Sequence, residues 1–334
     1  MEKTLTIVVP SYNTEKYVED CLPNMLDERF LHEIEILLID DGSTDQTNVK
    51  LNEYEKKFPN SIRVISKENG GHGSVINRGI IEAKGKYFRV IDGDDTVIPD
   101  NMVKLIDVLK KNDVDLVFQP FVENYIKRGE QRISCLSDLK VRCIYHFDEV
   151  AKTLKSIPMH SLNFKTDILK NNSIRVQEKC YYEDKEYMLY PVPHIKTIMY
   201  FDLPVCIYNI GVVGQSISPE KVVKNWKMLK IITKDLCEFY ENEVKKEISN
   251  PKRDYLSRGI CDVIKNTYGM FLKMPHGKDA YNLINQFNIE CKGWSPKLYE
   301  EGNIGVIKLL RKENYLIYSA AYYLFKRKRK KRGF

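Results

Sequence analysis

Apolar residues along the first 118 positions switch between two periods. Short runs rich in Val, Ile and Leu at 4–9, 35–39, 62–66, 86–91 and 115–118 predict buried strands. Between them, apolar spacing near 3.6 predicts helices near 15–27, 45–58, 73–83 and 99–111, each long enough for a crossover. Strands alternating with helices in this way predict an α/β fold, a mostly parallel sheet with helices on both faces. Loop residues follow each of the first four strands: Pro10-Ser11-Tyr12-Asn13, Asp40-Asp41-Gly42-Ser43, Glu68-Asn69-Gly70-Gly71 and Asp92-Gly93-Asp94-Asp95. These four loops are expected along one edge of the sheet. From 119 to 215 the pattern is irregular, with short strands near 197–201 and 205–209. Beyond it the spacing turns helical at 220–244, 254–272, 280–287 and 297–311. The chain therefore reads as segments 1–118, 119–218, 219–313 and a tail, 314–334.

The densest chemistry lies at the end of the fourth strand. Tyr87, Phe88, Val90 and Ile91 read as buried, and Asp92, Asp94 and Asp95 follow around Gly93. So much negative charge at one strand end is costly without a positive partner. Oxygen donors suit a hard divalent cation, and ligands of open α/β sheets bind beyond the strands' carboxyl ends. Asp40 and Asp41 exceed what a helix cap needs and could accept from a ribose or a base. Asn69-Gly70-Gly71-His72-Gly73 opens a helix; its glycines allow close backbone approach and its amides suit an anion. His72 fits either a phosphate contact or a turn cap. Tyr12 fits either stacking on a base or core packing. No glycine-rich dinucleotide fingerprint and no P-loop sequence occurs.

Five strings taken together resemble the nucleotide-binding half of a family 2 glycosyltransferase with the GT-A fold. They are Val8-Val9-Pro10-Ser11-Tyr12-Asn13, Ile39-Asp40-Asp41-Gly42-Ser43-Thr44-Asp45, Asn69-Gly70-Gly71 through Asn77-Arg78-Gly79, Ala83-Lys84-Gly85-Lys86-Tyr87 and Asp92-Gly93-Asp94-Asp95. The resemblance implies an inverting enzyme with a nucleotide-diphosphate-sugar donor, most often UDP-linked. It implies that Pro10, Tyr12, Asn13, Asp40, Asp41, Asn69, Gly71, His72, Asp92 and Gly93 line the donor site. Asp92 and Asp94 would face Mn²⁺ or Mg²⁺, with Asp95 a rival ligand because two acidic pairs overlap. The base that takes the acceptor's proton would come from Tyr181-Tyr182-Glu183-Asp184-Lys185-Glu186-Tyr187, as Asp184, with Glu183 as substitute. Gln215 and Ser216 resemble a loop that closes over the donor phosphates. Many members carry arginine where Asn209 or Val212 and Ile76 stand here, so His72, His160 and Lys165 become candidates for the missing charge.

Charge and cysteines refine this picture. The net charge of +7 is a property of the tail: Lys326 to Arg332 holds seven cations, and removing them leaves 46 basic against 46 acidic residues. A neutral body offers no basic track for nucleic acid. The eight cysteines show no metal-ligand spacing and several sit in apolar runs, as expected of reduced, buried thiols in a cytoplasmic protein. No N-terminal signal pattern precedes the first strand. The tail pairs an apolar, tyrosine-rich run, residues 315–325, with the basic cluster. The run is too short to span a bilayer but suits an anionic membrane surface, where each cation contributes about 1 kcal/mol. A terminal helix packed on its domain is the alternative. The expectation is a cytoplasmic enzyme, peripheral on the inner face of the cell membrane, acting on a glycan or lipid-linked acceptor. A sugar nucleotidyltransferase and a nucleotide-sugar-binding protein without catalysis are the rivals.

Overall fold

The most apolar predicted strand is also the most deeply placed: all seven residues of Ile34–Asp40 are buried. A computed structural model describes residues 3–212, 224–274, 278–312, 318 and 322. In chain order the strands are β1 (Leu5–Ser11), β2 (Ile34–Asp40), β3 (Ile62–Ser66), β4 (Tyr87–Val90), β5 (Thr96–Val97) and β6 (Leu116–Phe118). They continue with β7 (Phe121–Tyr125), β8 (Glu130–Ser134), β9 (Ile144–His146), β10 (Leu162–Lys165), β11 (Thr197–Tyr200) and β12 (Cys206–Ile210). The principal helices are α1 (Thr47–Lys57), α2 (His72–Glu82), α3 (Pro99–Lys111), α4 (Asp184–Leu189), α5 (Trp226–Lys245), α6 (Asn250–Phe271) and α7 (Lys278–Trp294).

The larger sheet has the order β3-β2-β1-β4-β10-β6-β11-β9, and β5-β12-β7-β8 form a second, four-stranded sheet. From β3 through β2 and β1 to β4 every pairing is parallel, as predicted. Helices cover both faces. Leu5, Ile7 and Val9 of β1 share one buried cluster with Leu51 of α1 and Met102, Leu105 and Leu109 of α3. On the opposite face α2 approaches so closely that a Cβ on Gly79 would lie 2.5 Å from a Val8 methyl. Each fully buried Leu or Ile here contributes about 1.5–3 kcal/mol relative to exposure.

Two departures from the sequence reading matter. The fifth strand does not follow β4 directly, because β10 inserts antiparallel between β4 and β6, pairing Phe164 with Phe88 and Leu162 with Phe118. The sheet is therefore mixed. The helix expected over 15–27 is broken into Val18–Cys21, a 3₁₀ turn at Pro23–Met25 and Glu28–Leu31. Pro23 lacks the amide that a continuous helix needs, and Asp27 caps the last piece by accepting from Arg29 N–H at 2.9 Å.

The chain forms two compact units, Met1–Val213 and Gly214–Phe334. Segments 1–118 and 119–212 thus belong to one unit. Within the second, the helix expected over 297–311 is two pieces, Pro296–Glu301 and Gly305–Lys312, with Gly305 at φ +54°. Arg311 lies over the Tyr299 ring at 3.6 Å and donates to the Tyr268 hydroxyl. Most of the tail lies outside the described residues. Tyr318 is described, and it is buried and donates to the Phe271 carbonyl at 3.0 Å, which is the packed-helix alternative at that residue rather than a headgroup contact. No described helix is long and apolar enough to cross a membrane.

Candidate functional site

Ser11, Asp40 and Ser66 stand in register across β1, β2 and β3, so the residues after them emerge at one edge, as expected. Tyr12 is 51% exposed there, which rules out core packing for its ring. Asn13 joins two loops: its N–H donates to Ser43 Oγ at 3.0 Å and its Oδ1 accepts from Thr44 N–H at 2.8 Å. It does so with φ +53°, a left-handed conformation that asparagine tolerates. The turn after β4 passes directly over the end of β1. A Cβ on Gly93 would lie 2.7 Å from the Pro10 carbonyl oxygen, so this position needs glycine.

In the neighbouring loops the acids and glycines have protein partners of their own. Asp40 is buried and accepts from Ser43 N–H at 3.0 Å and Asn48 Nδ2 at 2.9 Å, which makes it an internal brace. Asp41 is also buried, and both its oxygens have protein partners. Lys67 Nζ (2.6 Å) and Gly70 N–H (2.9 Å) donate to one oxygen, and Gly71 N–H (2.8 Å) to the other. Asn69 Nδ2 donates to the Asp41 carbonyl at 2.9 Å. The Gly70 and Gly71 amides are therefore engaged, not free for an anion. The close approach these glycines permit is to the protein itself. A Cβ on Gly71 (φ +80°) would stand 3.2 Å from the Lys179 backbone, and one on Gly73 would stand 2.1 Å from the Gln177 carbonyl oxygen. The segment 177–183 rides on this turn, and Lys179 N–H donates to the Gly70 carbonyl at 2.6 Å.

That segment leads into α4 and brings its acids to the carboxylates after β4. His72 lies between them, with Nδ1 2.6 Å from Glu183 Oε1 and Nε2 2.9 Å from Asp92 Oδ1. Burial alone would lower the His72 pKa, but the hydrogen bonds and charges of Asp92 and Glu183 hold it well above the usual value. Both ring nitrogens of an imidazolium can donate at once. Burial would raise Asp92, yet its bond to His72 keeps it below the ordinary carboxylate value. Asp184, the first residue of α4, is one-third exposed and pairs with Lys185 at 2.8 Å. Tyr208 on β12 lies in the field of the same acids. Its phenol pKa is raised by burial and then by the charges of Asp92, Asp95, Asp94 and Asp184 together.

Asp95 has turned inward and is fully buried. Its Oδ1 accepts from Asn209 N–H at 2.9 Å, while Asn209 Nδ2 donates to the Asp94 carbonyl at 2.7 Å. Burial, then the charges of Asp92 and Asp94, push the Asp95 carboxyl well above its usual range. Asp95 Oδ2 and His160 Nδ1 are buried, unpartnered and 3.7 Å apart, and His160 stacks on Tyr208 at 4.2 Å. With Cys206 they bring three donor atoms within 4.8 Å. A cation does not suit this inner cluster. Burial raises the Cys206 thiol pKa, and the buried guanidinium of Arg89 acts on both Cys206 and His160, so this cluster already has a positive neighbour. Asp92 and Asp94, both partly exposed, offer the oxygen donors that a hard divalent cation takes.

The profile of Glycosyl transferase family 2 matches residues 6–165. Over that span the chain is similar to this family. Among similar proteins, glycosyltransferase EpsJ of Bacillus subtilis is 32% identical over 151 residues, which is 45% of this chain and 42% of that protein. The minor teichoic acid biosynthesis protein GgaB of Bacillus subtilis is 30% identical over 182 residues, 52% of this chain and 19% of that protein. The chain thus spans less than half the length of either relative. The crystal structure of S. aureus TarS 1–349 in complex with UDP-GlcNAc is similar with a TM-score of 0.66. That match covers 96% of this chain and 92% of TarS 1–349 at 17% identity, a likeness of fold, and the fold is GT-A.

Within the family 2 frame, the departures from the usual arginines acquire physical content. Asn209 braces the acidic turn with two hydrogen bonds. Ile76 is fully buried in α2. Lys165, a candidate for the missing charge, is level with Tyr87 at the start of β4 and pairs with Asp113 at 2.8 Å, away from the acids. His72 and His160 do reach them. Sequence reasoning missed the bracing role of Asn209, and Arg89, which is wholly buried and donates to Asn163 Oδ1 and the His160 carbonyl. An arginine inside an otherwise apolar strand was the one available signal for the last. Gln215 and Ser216 lie outside the described residues.

Proposed function

We propose that the protein is a metal-dependent, inverting glycosyltransferase of the hexosyltransferase type. It moves a sugar from a nucleotide-diphosphate donor, a UDP-sugar, to a hydroxyl of a glycan or lipid-linked glycan in teichoic acid or related surface-polysaccharide synthesis. The observation that carries this reading is a partly open carboxylate, Asp184, that directly follows Glu183, which His72 links to Asp92 at the carboxyl edge of the sheet. The UDP-GlcNAc complex of TarS supports the choice of donor, and GgaB supports the setting.

In this reading the exposed Tyr12 ring stacks on the base, and the braced loops of Asn13, Asp40, Asp41, Asn69 and Gly71 form the floor beneath it. Gly93 lets the acidic turn lie against Pro10, so Asp92 and Asp94 stand where the diphosphate enters. Mn²⁺ or Mg²⁺ held by these two residues would offset the negative charge of the departing nucleoside diphosphate. Asp184 takes the proton of the acceptor hydroxyl as that oxygen attacks the sugar carbon from the face opposite the leaving group. Gln215 and Ser216 are assigned to closure over the phosphates. The basic tail holds the enzyme on the inner, anionic face of the membrane, where a lipid-linked acceptor would lie.

The test is thermal unfolding with UDP, GDP, dTDP and CMP, each with and without Mn²⁺. A nucleotide at 100-fold its dissociation constant stabilises by about 2.7 kcal/mol, a clear melting shift. A shift with UDP that requires Mn²⁺ is expected; no shift with any nucleotide overturns the reading. Asp184→Asn should keep that shift and reduce sugar transfer by about 100-fold or more. An unchanged rate removes Asp184 as the base.

A further inference from the structure

We infer that His72 is a positioning residue that ties Asp92 to the turn carrying Asp184, and so sets the spacing between the leaving-group side and the base. The inference rests on the glycosyltransferase reading above. It replaces the alternatives of a phosphate contact or a simple cap for this histidine.

Three observations support it. Both ring nitrogens are used, on carboxylates from opposite sides of the site: Asp92 Oδ1 at 2.9 Å and Glu183 Oε1 at 2.6 Å. The two nitrogens lie on opposite edges of one planar ring and so reach both carboxylates at once, a span that a lysine or an asparagine cannot reproduce. Second, Glu183 is buried and directly precedes Asp184, and its Oε2 has no partner. The bond to His72 is therefore what orients this carboxylate. Third, the turn before it is held out of relaxed geometry. Tyr182 has φ +75°, which is rare for a bulky side chain and persists only where the surroundings enforce it. The tether to α2 consists of the His72 bond, the Lys179 amide on the Gly70 carbonyl, and the packing of Gln177 and Glu183 against Gly73.

The chemical consequence follows from near-attack geometry. Asp184 can take a proton only if the acceptor hydroxyl is held in line with the bond that breaks, and the phosphates of the leaving group are set by the Asp92 side. A link between the two sides fixes that alignment without His72 touching the reacting atoms. Loss of the link should therefore lower turnover while leaving nucleotide binding nearly intact.

The experiment compares wild type, His72→Ala, His72→Gln, Glu183→Gln and the double variant His72→Ala/Glu183→Gln. Calorimetry with UDP and Mn²⁺ gives the nucleotide dissociation constant. UDP release, from whichever of UDP-glucose, UDP-galactose and UDP-GlcNAc the wild type cleaves fastest, gives turnover. A link misplaced by about an ångström predicts a loss in kcat of about 100-fold for His72→Ala, with the UDP constant within about threefold of wild type. His72→Gln, which keeps one donor group, should lose less. The double variant should be no slower than the slower single one, because the two residues act as a unit. Unchanged turnover in His72→Ala, UDP binding lost in step with turnover, or losses that multiply in the double variant would each overturn the inference alone. If His72→Ala does not fold, Glu183→Gln and His72→Gln decide by the same criteria. A wild type that neither binds nor releases UDP overturns the glycosyltransferase reading itself, and the inference with it.

Discussion

Gly73→Ala isolates the contact between α2 and the segment that carries Asp184. The added Cβ would stand 2.1 Å from the Gln177 carbonyl oxygen and 3.1 Å from Glu183 Cγ. A carbon–oxygen contact relaxes at about 3.3 Å, so the 177–183 segment or the start of α2 has to yield by about 1.2 Å. The stability cost is modest. Overpacking costs about 1–3 kcal/mol, and replacing a helical glycine returns up to about 1 kcal/mol. The net expectation is a loss of about 0–2 kcal/mol, which leaves the protein folded. The effect on chemistry should be larger, because a misplacement of about 1 Å near a reacting group reduces turnover by about 100-fold. The assay is UDP release from the donor sugar with calorimetric UDP binding as the companion. The expected result is slow turnover with binding retained. Gly269→Ala serves as the control, since a Cβ there meets nothing within 4 Å and α6 should gain about 0.5–1 kcal/mol with unchanged turnover. Wild-type turnover in Gly73→Ala would refute the claim that this contact places the base.

Two further outcomes follow from the acidic turn. Asp95→Asn keeps an acceptor for Asn209 N–H and removes a carboxyl whose folded-state pKa is raised above its unfolded value. Such a group subtracts stability once the pH exceeds the unfolded value near 3.9. The variant should therefore melt higher than wild type at pH 7, with the advantage vanishing below about pH 4; a lower melting point at pH 7 would show that the Asp95 charge is compensated after all. Asn209→Ala removes the donor to the Asp94 carbonyl and should cost about 1 kcal/mol of stability while weakening the Mn²⁺-dependent part of UDP binding. Equal Mn²⁺ dependence in variant and wild type would show that the turn needs no brace.

What was legible in the sequence is what local pattern determines. The two hydrophobic periods located β1 to β4, α1 to α3 and the edge where their loops meet, because each of those elements is specified by its own residues. What was hidden depends on partners far along the chain. Leu162–Lys165 is a four-residue strand with no local mark of its antiparallel insertion between β4 and β6. The glycines of 70–73 announced a close approach, but only the fold shows that segment 177–183, about a hundred residues later, is what approaches. Nothing near Asp41 in sequence says that the Gly70 and Gly71 amides will turn back onto it.

The missing arginine shows how the two levels join. At position 76 the family's usual cation is replaced by Ile76, which the structure buries completely in α2. One turn earlier on the same face of that helix stands His72, since residues four apart are neighbours along a helix. At the helix's first turn His72 meets both Asp92 and Glu183. An arginine lower on the helix could neutralise a phosphate; a ring at the first turn can instead join the two halves of the site. In the fold, the first turn of α2 thus supplies a ring that bonds both the acidic turn and the residue before Asp184.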